Sequence, residues 1–72
     1  MAVNEMKEIF CRKVSEIRLH ENISLEELSQ RSGVALEMLE ALERGEIPEE
    51  MMVEDALDLA RAFGCKPHEL FQ

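Results

Sequence analysis

The residues able to do chemistry in this chain are few, and they do not combine. His20 and His68 stand far apart, and neither has metal-ligand spacing with Cys11 or Cys65. Two cysteines cannot build a zinc site alone, and in a cytosolic chain both are expected to be reduced. No Ser-His-Asp or Cys-His arrangement is present, and no glycine-rich loop could cradle a phosphate. Glu50, Glu54 and Asp58 fall one helical turn apart but lack the glycine-turned loop of a calcium site, so they should form a wet stripe. The expectation is therefore no metal, no cofactor and no enzyme. Cys65 should pack in the core and Cys11 should be partly exposed, a disulfide between copies through Cys11 being a remote alternative.

What remains is a cluster of charge. The stretch GVALEMLEALERGE carries Glu37, Glu40, Glu43 and Glu46, with Arg44 as its only cation. The whole chain repeats that bias: eight Lys and Arg against sixteen Asp and Glu give a formal charge of −8. Such a field repels nucleic acid and anionic membranes and attracts basic partners. The N-terminal stretch MAVNEMKEIFCRK has no long apolar run, so neither a signal peptide nor a membrane span is expected, and the chain should be cytoplasmic.

The elements that must position these charges follow from periodicity. Seventy-two residues with 46% apolar and 33% charged content suit one globular domain spanning 1–72, with a single modest core. Three Phe and no Trp or Tyr leave Leu, Ile, Val, Ala and five Met to fill it. Val3, Met6, Phe10, Val14 and Ile17 mark one face of a first helix ending near Glu21, where Asn22 tolerates a left-handed end. Ser24 can cap a second helix over residues 25–32 while Glu27 reaches back in a capping box, with Leu25 and Leu28 inward. Gly33 permits a sharp turn.

A third helix follows over residues 36–44, with Leu39 and Leu42 inward, closed by Gly45 and Pro48. After the acidic linker EIPEE, Val53, Ala56, Leu57, Ala60 and Phe63 mark a fourth helix stopped by Gly64. KPHELF should be a last helical turn folding Leu70 and Phe71 onto the core. The expected architecture is a compact all-α bundle of four helices plus a short fifth.

Two helices joined by a tight glycine turn suggest a helix-turn-helix. The segments IRLHENISLEELSQRSGV, LEALERGEIP and ALDLARAFGCKPHELF, in this order and spacing, resemble the Cro/phage-repressor (Xre-type) helix-turn-helix family, a lambda-repressor-like fold. The resemblance covers about residues 14–71. It implies that Arg18 and Glu43 form an ion pair between the first and third helices; the alternative is that each is solvated. If the pair is buried, losing one partner should cost about 3–5 kcal/mol.

The resemblance also implies that the third helix lies in the DNA major groove and that Leu36, Glu37 and Ala41 touch base edges, with Ala35 at the cap and Met38 nearby. None of these makes a strong bidentate pairing; Glu37 could accept from cytosine, and Leu36 or Ala41 could touch a thymine methyl. Residues 35–50 hold six glutamates against one arginine, facing a duplex with one negative charge per roughly 1.7 Å. Arg31, Arg44 or Lys66 at the flanks and the amide ends of the second and third helices are left to meet phosphate. Ser24 has a hydroxyl suited to phosphate, although its capping role competes.

Two functions follow. The first is a small transcriptional regulator that binds operator DNA as a homodimer through the fourth helix and C-terminal turn, with weak non-specific affinity. The second keeps the fold as a protein-interaction module, in which Leu25, Leu36, Met38 and Ala41, extended by Ile47, Met51 and Met52 and rimmed by glutamates, meet a basic protein partner. In a third arrangement, Leu36 and Met38 only pack against the linker and fourth helix.

Overall fold

The computed structural model describes residues 3–72; the Val3 side chain, expected on the inner face, lies outside the described residues. Helix α1 (Val3–Glu21) buries Phe10, Cys11 and Val14, and Ile17 packs beside them. It ends as the sequence implies. Asn22 adopts φ 58°, its N–H donates to the Leu19 carbonyl and the Ile23 N–H donates to the Arg18 carbonyl. Two expectations fail on α1. Met6 is 42% exposed, so the apolar stripe stops short of the first turn. Cys11 is only 4% exposed, because it sits beside Phe10 and one turn before Val14 and joins their core cluster.

Helix α2 (Leu25–Ser32) begins at Ser24, whose Oγ accepts the Glu27 N–H at 3.0 Å. The reciprocal half of the capping box does not form. Glu27 turns its carboxylate to Arg31, one turn on, at 2.6 Å, where opposite charges at i and i+4 attract. Helix α3 (Leu36–Glu43) is one residue shorter than expected, with Arg44 at its cap. Gly45 takes φ 80°, a conformation costly for any side chain. Beyond it the Gly45 N–H donates to the Leu42 carbonyl and the Glu46 N–H to the Ala41 carbonyl, which closes the end of α3.

Helix α4 (Val53–Phe63) starts where the Asp55 carboxylate accepts the Met52 N–H at 2.8 Å. Leu59 and Ala60 are buried and Ala56 and Phe63 pack beside them, but Val53 and Leu57, expected inward, are 77% and 37% exposed. A 3-10 turn (Pro67–Phe71) closes the chain. Leu70 is fully buried, whereas Phe71 is 39% exposed and stacks its ring on Phe10 with centroids 5.1 Å apart.

The result is four helices with no strand among the described residues. α1 packs on α3 and the 3-10 turn, while α2 packs on α3 and α4. Leu28, Leu39, Leu42, Leu59 and Leu70 form the centre with Val14 and Val34, and each such burial stabilises by about 1.5–3 kcal/mol. Truncating the fully enclosed Leu28 to alanine would cost about 2–5 kcal/mol.

Candidate nucleic-acid interface

Three residues, Gly33, Val34 and Ala35, join α2 to α3, and two serines lock them. Gly33 adopts φ 81° and its N–H donates to the Ser29 carbonyl. The Ser29 hydroxyl donates to the Val34 carbonyl at 2.7 Å, and the Val34 N–H donates to the Ser32 hydroxyl at 3.1 Å. Ser32 in turn donates to the Leu28 carbonyl at 2.7 Å. Val34 itself is 1% exposed and plugs the turn into the core. Sequence reasoning missed Ser29 and Ser32. The available signal was two hydroxyls in the last turn before a glycine, where short side chains bond to backbone.

The turn fixes how α3 leaves α2 and what it shows. Ala35 and Glu37 are exposed, no side chain caps α3, and the Met38 N–H donates to the Ala35 carbonyl. Leu36 is half-buried. Met38 and Leu25 are half-buried too, but both pack against the core, as do Ile47 and Met51. Ala41 corrects the sequence reading: expected to face bases, it is 7% exposed. Ile47 and Pro48 of the linker lie beside Ala41 and Met38 along one groove, which accounts for this burial. Ser24 is exposed with its hydroxyl engaged at Glu27, and Arg44 is exposed beside Glu46. The apolar patch expected around α3 is thus mostly internal, although Met52 remains 67% exposed.

Between α3 and the linker runs a groove of about 410 Å³. Met38, Ala41, Ile47 and Pro48, all buried or half-buried, make its floor. Glu37, Glu46, Glu49, Glu50 and Arg44, all exposed, make its rim.

Behind the interface, Arg18 joins three elements. Its Nε lies 2.8 Å from the Glu43 Oε1 and its Nη1 donates to the Ile23 carbonyl at 2.9 Å. The last turn of α1, the loop before α2 and the end of α3 are thereby held together. The two side chains are 17% and 28% exposed, a partly buried pair, so the cost of a fully buried one does not apply.

α3 carries no cation along Leu36–Glu43, and α2 carries only Arg31, in its last turn. Each of the five arginines has a carboxylate partner: Arg12 with Glu16, Arg18 with Glu43, Arg31 with Glu27, Arg44 with Glu46 and Arg61 with Asp58. Lys7, Lys13 and Lys66 have no such partner among the described residues, and none of them lies on α2 or α3. Burial pushes the thiols of Cys11 and Cys65 above the ordinary value, and Glu69 adds to the rise at Cys65. Among the described residues, no three His, Cys, Asp or Glu side chains converge as a metal site would require.

Two helices locked by a three-residue turn, with the second helix's first turn on display, define a helix-turn-helix domain. The family model of the Cro/C1-type HTH DNA-binding domain matches residues 13–72, and the chain belongs to that family. The family is one of DNA-binding regulators, not of enzymes. No curated protein and no solved structure matches the chain. No helix among the described residues is long and apolar enough to cross a membrane.

Proposed function

We propose that this domain regulates transcription by binding operator DNA as a homodimer, through Ser24 and Leu25 at the start of α2 and Ala35, Leu36 and Glu37 at the start of α3. The rigid, outward-facing first turn of α3, positioned by the serine-locked turn, is the observation that carries this reading. No side chain caps this helix start, which suits a phosphate or a base-edge acceptor at its first amides. Affinity for arbitrary sequence is low, since both arginines on or beside the motif, Arg31 and Arg44, are held by glutamates. Met38 and Ala41 support the floor rather than touching bases.

Homodimerisation is supported by the exposed apolar side chains of α4. Met52, Val53 and Leu57 are 67%, 77% and 37% exposed, and Phe71 adds 39%. A two-fold contact through that face would present two α3 helices to half-sites one turn of DNA apart, about 34–36 Å. The test is a gel shift of genomic fragments at about 50 mM salt with a few hundred nanomolar protein. Retention of a discrete subset of fragments is expected; failure to shift any would overturn the reading.

A further inference from the structure

We infer that the groove between α3 and the linker docks a cationic segment of a partner protein, with Lys or Arg side chains on either side of one aliphatic side chain. The inference does not depend on α3 contacting DNA. Charge is the first argument. Four carboxylates and one guanidinium give the rim a formal charge of −3, and that guanidinium lies 3.3 Å from Glu46. Glu37, Glu49 and Glu50 have no cation within ion-pair distance among the described residues.

Shape is the second argument. The volume falls in the range of ligand-sized clefts, roughly 300–1,000 Å³, and the floor is apolar. A neutral apolar occupant would strip water from unpaired carboxylates, which is costly. An anionic one would be repelled. A segment with cations flanking an aliphatic side chain fills the floor and pairs the rim together, the usual layout of an anchor inside a polar ring.

The third argument is preorganisation. The backbone at the groove is held by the Glu46 N–H on the Ala41 carbonyl and the Met51 N–H on the Pro48 carbonyl, so docking need order only the rim side chains. Glu37 belongs both to the rim and to the exposed first turn of α3, so an occupied groove would obstruct DNA.

The probe is a fluorescent nonapeptide, Lys-Arg-Lys-Gly-Leu-Gly-Lys-Arg-Lys, titrated by anisotropy at about 50 mM salt. The double variant Glu49→Lys with Glu50→Lys should weaken binding about tenfold or more. Glu5→Lys with Glu8→Lys on α1 changes net charge equally and should weaken it by less than about threefold. Replacing the peptide's leucine by glycine should weaken it about fivefold. In the unaltered protein, the amides of Ala41 and Glu46 should shift on titration. No binding, equal losses for the two double variants, indifference to the leucine, or unmoved Ala41 and Glu46 amides would each overturn the proposal.

Discussion

Replacing Arg18 by alanine removes an ion pair of 2.8 Å to Glu43 and a hydrogen bond of 2.9 Å to the Ile23 carbonyl. An exposed pair contributes about 0–1 kcal/mol, and breaking a fully buried one costs about 3–5 kcal/mol. With exposures of 17% and 28%, this pair lies between those limits. A hydrogen bond from a charged donor adds about 1.5 kcal/mol, and the packed arginine stem is lost as well. Arg18→Ala should therefore cost about 2–3 kcal/mol and Glu43→Ala about 1–2 kcal/mol. Urea unfolding followed by helical circular dichroism, with a slope near 1 kcal/mol/M for a domain this small, should show the Arg18→Ala midpoint about 2–3 M lower. In a double-mutant cycle the two changes should couple by about 1–1.5 kcal/mol. Coupling below about 0.3 kcal/mol would refute the view that these side chains join α1 to α3.

Ser24→Ala should lower stability by about 1 kcal/mol through the lost cap on Glu27 and also weaken operator binding; unchanged DNA affinity would remove Ser24 from the interface. Arg31, Arg44 and Lys66 give three cations per protomer and six per dimer, so log affinity against log salt should slope no more steeply than about −5.4 for the operator; Glu37→Lys should steepen it by about 1.8. Both thiols are raised by burial, so the folded state holds their protons more tightly than the unfolded chain. Stability should be level below about pH 8.5 and fall above it, and Cys11 should resist alkylation until the chain unfolds; rapid labelling of native Cys11 would contradict its burial. Val53→Glu with Leu57→Glu should leave the melting temperature within a few degrees while converting a sedimenting dimer to monomer; a dimer that persists would move the two-fold contact off α4.

Much of the fold was legible because punctuation and period agreed. Asn22, Gly33, Gly45 and Gly64 each took the left-handed conformation that ends a helix, and Leu28, Leu39 and Leu42 fell on inner faces. What could not be seen was set by long-range packing or by competing partners. Ala41 looks like a surface position on a helical wheel until Ile47 and Pro48 of the linker lie beside it. Glu27 had two bonds within reach, the Ser24 amide and the Arg31 guanidinium, and sequence pattern could not rank them. Cys11, expected to be partly exposed, shares its turn with Phe10 and Val14 and is buried with them. Val53 and Leu57 fit an inward stripe by spacing alone, but the domain is too small to cover both sides of α4. At the interface, Glu37 and Ala35 proved outward-facing, whereas the serines that aim them lay outside the motif positions considered.

The most direct test of DNA reading by α3 is an amide chemical-shift map of the labelled domain on addition of a duplex recovered in the fragment selection. Shifts should concentrate at residues 24–25 and 35–37, with α1 and the outer face of α4 unmoved apart from dimer contacts. Shifts confined to α1 or the C-terminal turn, with residues 35–37 silent, would contradict the account.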